Sequence, residues 1–274
     1  MDNLEQTAGG WAADIIETAK ATQGVEAVFQ GDNTLIVAHS ENQKLQVFNL
    51  EQYSAAPARI RRNINVVEVI SFVDYWQRFA TDRSEIHADL KARKFTAVID
   101  AHAPDRPAWQ EHTCALTCRT STEWDTWHGS NGSAMNQVKF AEFIEANSID
   151  IVTPSAADMK EIALTLEAKK KVNFSSGVRL DNGQIQLGYH ETIEGSAGPK
   201  GELRIPEKFS LALRIFQGGE KYEVEAHLRY RINDGSLTFF YQIIRPERLL
   251  EDAFEQVKTQ VRTGCQGAQI YAVG

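Results

Sequence analysis

One segment of the chain concentrates the side chains that bind metal ions. Seven candidate ligands lie within the 29 residues from 100 to 128: Asp100, His102, Asp105, His112, Cys114, Cys118 and His128. Imidazole and thiolate groups are the ligands that zinc takes in proteins. A metal-dependent enzyme centred on His102 and His112 is therefore one hypothesis for this chain.

The spacing of these residues argues against a shared ion. EHTCALTCR (111–119) predicts a strand, on which Cys114 and Cys118 share one face but lie about 13 Å apart. That distance is too long for one zinc, and His112 with Cys114 is the only adjacent pair. The sequence thus predicts no metal site and no cofactor. With Cys265, the cysteines are three in number, which predicts free thiols in a reducing compartment.

The sequence also lacks the motifs of the readily recognised nucleotide-binding and hydrolase classes. It contains no GxSxG, no GxxxxGK[ST], no GxGxxG and no HExxH. Serine, histidine and aspartate are plentiful, but no pattern marks a nucleophile. These absences remove the readily recognised nucleotide and hydrolase classes from the possible functions.

Arginines form a second candidate site. Aromatic side chains beside arginines on a sheet can stack the bases of a single strand while guanidinium groups hold its phosphates. The net charge of −8 argues against binding through bulk charge, although residues 55–95 carry eight basic and five acidic side chains. Single-stranded nucleic-acid binding or annealing is thus an alternative function. Its candidate contacts are Arg59, Arg61, Arg62, Arg229 and Arg231.

Arg229 and Arg231 must be positioned by a three-stranded meander over residues 209–244. Apolar residues alternate through YEVEAHLRYRINDGSLTFFYQI (222–243), which predicts strands with one buried face. We expect two-residue turns at 218–219 and 234–235. These turns place Ile215 opposite Tyr222, Arg214 opposite Glu223 and Tyr230 opposite Phe239.

The other face of this meander is not purely polar. The predicted pairing sets Arg229 opposite Phe240 and Glu225 opposite Ile244. A face that meets only water has little reason to carry these two apolar residues, so we expect a cover. The cover is another layer of the chain, a second subunit or a stacked ligand. The candidate interface or ligand face comprises His227, Arg229, Arg231, Phe240 and Ile244.

Helical periodicity accompanies the strands. Predicted helices follow caps at Ser71, Ser133 and Ser155, and the last of these three runs to the lysines at 169–171. A further helix begins at Pro246, ends at Gly264 and is expected to cover the meander. Strand pairs are predicted at 34–50 and at 178–191, the latter with a turn at Asn182-Gly183.

These elements predict an α+β fold with a largely antiparallel sheet of hairpins and a C-terminal meander, covered by several helices. We expect residues 1–54 to form an N-terminal helix and hairpin, as an arm or subdomain, and residues 55–274 to form the main domain. The acidic first residues do not suit a signal peptide, and no stretch has the roughly 18–20 apolar residues of a membrane span. The expectation is a soluble, cytoplasmic protein without membrane contact.

Several segments resemble an uncharacterised family of phage and prophage proteins. They are DAHAPDRPAWQEHTCALTCRTSTEWDTW, QVKFAEFIE, VRLDNGQIQLGYHETIEG and FQGGEKYEVEAHLRYRINDGSLTFFYQIIRPERLLEDAF, and HLRYRINDG with RPER is the most specific part. The resemblance extends over residues 55–262 and implies a phage-derived, bacterial cytoplasmic setting. It implies no reaction and no catalytic or binding residues. The leading hypothesis is a non-enzymatic homo-oligomer with a structural or binding role.

Overall fold

The computed structural model describes residues 26–30, 35–39, 45–49, 51, 55–165, 167–179, 185–196, 205–233 and 236–274. The chain divides into two compact units, residues 1–63 and 64–274. In the first unit, β1 (Glu26–Gln30), β2 (Leu35–His39) and β3 (Leu45–Asn49) form an antiparallel meander. The strand pair predicted at 34–50 is confirmed, and β1 adds a strand. The helix predicted before Gly24 lies outside the described residues, and the boundary expected at residue 54 stays a prediction.

The remaining elements follow in chain order. They are β4 (Arg62–Val66), α1 (Val69–Phe79), β5 (Glu85–Asp89), β6 (Lys94–Val98), β7 (His112–Thr117), α2 (Thr122–Gly129), β8 (Met135–Asn136), α3 (Gln137–Ala146), β9 (Ile151–Thr153), α4 (Ala156–Thr165), β10 (Glu167–Arg179), β11 (Ile185–Ser196), β12 (Lys208–Arg214), β13 (Lys221–Asn233), β14 (Ser236–Ile243), α5 (Pro246–Gly264) and β15 (Gln269–Val273). Strands β10 and β11 form an antiparallel hairpin. The predicted α+β fold is confirmed.

Sheet one has the strand order β15-β5-β6-β7-β4. Strands β5, β6 and β7 form an antiparallel meander, and β15 lies parallel to β5. Helices α1 and α5 cover its apolar face, where Phe254 of α5 stacks on Phe95 with ring centroids 4.5 Å apart. A Cβ atom on Gly264 would lie 2.5 Å from Cγ2 of Val73. Glycine at this position therefore allows the two helices to approach closely.

Sheet two has the strand order β8-β14-β13-β12-β9 and contains the predicted C-terminal meander. Phe140 of α3 stacks on Phe239 with ring centroids 5.0 Å apart. The indole of Trp127 donates a hydrogen bond to Asp150 at 2.9 Å, and the Tyr241 hydroxyl donates to the Trp127 carbonyl. The buried polar groups of this layer are thus paired, and both sheets contribute to one apolar core.

The two sheets share an arrangement. In each, a strand and a helix precede a three-stranded meander, and that preceding strand lies beside the third strand of the meander. A further strand lies beside the first strand of each meander, and a helix follows the third. The same frame therefore occurs twice in residues 62–273.

The predicted pairing of β12 with β13 is wrong by two residues, because the connection is not a two-residue turn. Leu213 lies opposite Tyr222, and Arg214 lies opposite Lys221 rather than Glu223. Residues 215–217 leave the ladder and pair with residues 119–121, with Ser121 N–H donating to the Ile215 carbonyl at 3.0 Å. A shift of two residues keeps every side chain on its predicted face. The pairing of β13 with β14, including Arg229 opposite Phe240, is confirmed.

Three helix boundaries differ from the prediction. Helix α1 begins at Val69, so Ser71 lies inside it, and α3 is capped by Asn136 instead of Ser133. Helix α4 has the predicted Ser155 cap, but it ends at Thr165 because the lysines at 169–171 belong to β10, which pairs with β11. The turn predicted at 182–183 lies outside the described residues.

Helix α5 has the predicted bounds but packs differently from the prediction. It runs from Pro246 to Gly264, with the proline in its first turn. Its Phe254 packs on sheet one, whereas the meander of sheet two is reached through a hydrogen bond from Tyr222 to Gln256. The apolar stripe of α5 therefore packs on sheet one through Phe254.

Candidate anion-binding face of sheet two

Two arginines project from the outer face of sheet two. Arg229 and Arg231 alternate along β13 with Leu228 and Tyr230, which pack towards the core. Both arginines are exposed. Two residues in a strand span about 6.6 Å, so the two side chains leave the sheet on the same side at nearly that separation. We call Arg229, Arg231 and Phe240 the arginine face.

Arg231 lies over the aromatic ring of this face. Its guanidinium carbon is 4.6 Å from the centroid of Phe240, and Phe240 is only 8% exposed. A cation held over an aromatic ring is attracted by the negative face of the π system. Phe240 therefore holds Arg231 in place and offers little apolar area of its own to a partner.

Two other basic side chains of this sheet have acidic partners. Lys208 lies 3.1 Å from Glu225, and Arg214 lies 3.5 Å from Glu123. Within the described residues, neither Arg229 nor Arg231 has an ion-pair partner. Their two positive charges remain available to an anion. His227 and Ile244 are half-buried in the adjoining rows, with Ile244 N–H donating to the Glu225 carbonyl at 2.9 Å.

Sequence reasoning found the arginines but missed the contact that positions one of them. The predicted ladder placed Arg229 directly opposite Phe240, and this pairing holds for the backbone. The ring is covered by Arg231, the diagonal neighbour, because a long side chain reaches across two residues of the next strand. Testing diagonal as well as direct pairs in the predicted ladder could have found it.

The other three predicted nucleic-acid contacts belong to the first compact unit. Arg59, Arg61 and Arg62 precede residue 64, and Arg61 forms an ion pair with Glu51 at 3.2 Å. Their role as nucleic-acid contacts stays a prediction, and the site on sheet two is described by Arg229 and Arg231.

The residues of the metal hypothesis hold the polypeptide in place instead. The buried His112 is 2.7 Å from the Tyr75 hydroxyl through Nε2, and the Asp100 carboxylate accepts the N–H groups of Glu111 and His112 at 3.0 Å each. Nδ1 of His102 accepts a hydrogen bond from Ala108 N–H at 2.9 Å. Across the described part of the chain, no three histidine, cysteine or acidic residues are grouped to hold a metal ion.

The cysteines are buried, which disfavours nucleophilic chemistry. Burial raises the pKa of the Cys118 thiol to about 12 against a smaller opposing effect of Arg93, and burial also raises the pKa of Cys265 to about 12. Both groups therefore stay protonated at neutral pH, whereas the thiolate is the reactive form. Cys118 lies in the wall of an apolar cavity of about 340 Å³ with Leu116 and Phe216.

Comparison with known proteins gives a family without an activity. The family described as "Uncharacterized conserved protein (DUF2303)" matches residues 12–272. The chain belongs to this family. No curated protein and no solved structure matches the chain. No helix among the described residues is long and apolar enough to cross a membrane.

Proposed function

We propose that this member of the DUF2303 family is a non-enzymatic binding protein that holds single-stranded nucleic acid on the arginine face. The observation that carries the proposal is the pair of exposed guanidinium groups, for which the described part of the chain provides no acidic partner and one of which is held over Phe240. Guanidinium groups bind phosphate oxygens in bidentate geometry. The proposal does not depend on the phage origin or the cytoplasmic location, which stay predictions.

A single strand suits this face better than a duplex. Arg231 is exposed on the side away from Phe240, and a planar guanidinium group can stack on a base. Bases are open to stacking in a single strand and are covered by their neighbours in a duplex. The spacing of about 6.6 Å between the two arginines allows each to meet a different phosphate along an extended backbone.

The remainder of the outer face limits the length of the site. Glu223 and Glu225 precede the two arginines on β13 and repel phosphates. The overall charge of −8 likewise keeps non-specific attraction low. We therefore expect a short site that neutralises about two phosphates, with weak sequence preference.

The test is binding of fluorescently labelled oligo(dT) measured by anisotropy over a series of salt concentrations. Two phosphate contacts predict a slope of about −1.4 for log affinity against log salt, at about −0.7 per contact for single strands. Arg229→Ala and Arg231→Ala should each weaken binding about tenfold and reduce the slope by about 0.7.

Arg214→Ala is the matched control, because Arg214 lies on the same sheet but is paired with Glu123. It should leave both affinity and slope unchanged. No binding by the wild-type protein at low salt would refute the proposal. Equal losses in all three variants would show that the arginine face is not the site, and an equally tight complex with duplex DNA would rule out the single-strand preference.

A further inference from the structure

The four edge strands of the two five-stranded sheets differ in their protection against pairing with another chain. Exposed edges carry unpaired N–H and C=O groups, and proteins protect them with short strands, charges or proline. In sheet two the edges are β8 with two residues and β9 with three. In sheet one, the edge strand β4 begins with Arg62 and includes two asparagines. Each of these three edges has a protecting feature.

The fourth edge, β15, has none of these features. Its five residues, QIYAV, contain no charge and no proline, and no charged side chain occurs from residue 263 to residue 274. Tyr271 is 45% exposed and Val273 is 44% exposed. One edge of β15 pairs with β5, and no strand of the described residues pairs with the other.

We propose that β15 pairs with β15 of a second copy of this chain, in antiparallel orientation about a two-fold axis at Tyr271. This pairing sets Tyr271 opposite the partner's Tyr271 and Ile270 opposite the partner's Ala272. The large Ile270 then lies beside a small alanine, the two tyrosine rings lie side by side, and no like charges face each other. The two copies of sheet one become a continuous ten-stranded sheet with a closed, isologous interface.

A second copy fits this edge because β15 supplies what the edge requires. The occupant must be an uncharged extended segment with a small residue opposite Ile270. The strand itself has this composition, whereas β4 carries the charge of Arg62 and β8 and β9 have only two and three residues. Pairing of five residues is small by the standards of stable interfaces, so the dimer should form in a concentration-dependent manner. The inference is independent of nucleic-acid binding on sheet two.

Cysteine cross-linking tests the register in the full-length protein. In the Tyr271→Cys variant, the two new thiols face each other, and mild oxidation should give a covalent dimer on a non-reducing gel. In Gln269→Cys, the corresponding thiols are four residues out of register, about 13 Å apart, and should remain unlinked. A mixture of Gln269→Cys and Val273→Cys should give the mixed dimer. The native cysteines are buried, so the wild-type protein serves as the background.

Light scattering after gel filtration over a range of concentrations tests the dimer itself. Tyr271→Lys places two like charges opposite each other and should raise the dissociation constant at least about tenfold. Ile70→Lys, which adds the same charge at another exposed apolar position, should leave it unchanged. A wild-type monomer at every concentration, equal effects of the two lysines, or equal cross-linking at positions 269 and 271 would overturn the proposal.

Discussion

Sheet one and sheet two share a strand order but differ in their outer faces. On sheet one, the outer face carries Thr96, Thr113 and Thr117, and its basic side chains have acidic neighbours. Glu85 lies 2.9 Å from His87, and Asp89 is the cross-strand partner of Lys94. On sheet two, the corresponding surface carries two arginines without acidic partners among the described residues. The same frame thus forms with and without an exposed pair of arginines on its outer face.

This difference distinguishes the residues that stabilise the fold from surface residues that the fold does not need. Both meanders are held by the alternation of apolar residues and by one stacked phenylalanine pair, Phe95 with Phe254 and Phe140 with Phe239. Since the outer face of sheet one forms without an exposed arginine pair, Arg229 and Arg231 are not needed for a sheet of this kind. Their positions agree with the binding role proposed for them.

The stacked pairs provide the largest expected effect. Phe95→Ala and Phe239→Ala should each lower the free energy of unfolding by about 3–5 kcal/mol, since each leaves a cavity in the shared core. Urea denaturation followed by tryptophan fluorescence measures this, and a single transition is expected because both sheets share one core. Val138→Ala, at an exposed site, should change stability by less than about 0.5 kcal/mol. Separate transitions for the two variants would show that the sheets are independent units.

The hydrogen bonds of Ser121, which join the two sheets, predict an intermediate loss of stability. The Ser121 hydroxyl accepts from Trp124 N–H at 3.0 Å as the cap of α2 and also donates to the Arg214 carbonyl of β12. The Asn136 side chain caps α3 with Lys139 N–H and has no such second role in the described contacts. Ser121→Ala should therefore lower the free energy of unfolding by about 2 kcal/mol, and Asn136→Ala should lower it by about 1 kcal/mol, in the same denaturation experiment. Equal losses would mean that the bond to Arg214 contributes nothing to stability.

The arginine face predicts the smallest effect. Arg231→Ala should lower the free energy of unfolding by about 0.5–1 kcal/mol, since it removes the cation–π contact with Phe240. Arg229→Ala should change stability by less than about 0.5 kcal/mol, because it breaks no ion pair. Thermal unfolding monitored by circular dichroism measures both. A loss of 2 kcal/mol or more in Arg229→Ala would give this residue a structural role and remove the contrast between the sheets.

How far the sequence predicts the structure depends on the range of the interaction. The alternation in β13 and β14 gave the correct faces and the correct partner for Arg229, because a tight connection limits the possible registers. The same reasoning failed for β12, where residues 215–217 pair with a segment near Ser121 instead of continuing the hairpin. Proximity in sequence does not reveal that competing partner.

The candidate site shows the same division. Composition and periodicity identified Arg229, Arg231 and Phe240 as residues of one face. The contact between Arg231 and Phe240 depends on a diagonal approach of two strands, and the absence of an acidic partner depends on the conformations of all neighbouring side chains. The role of β15 as an edge depends on its parallel pairing with β5 at the other end of the chain.

The sequence by itself determined the α+β class, the buried faces of the C-terminal meander and the bounds of α5. These follow from side-chain periodicity and from proline and glycine at the helix ends, which act within a few residues. Tertiary structure alone decided the register of β12, the position of Arg231 and the open edge at β15. Ser121 and Arg214, which are joined by a hydrogen bond, lie 93 residues apart. Such contacts form only when distant segments pack into one core, so no local pattern encodes them.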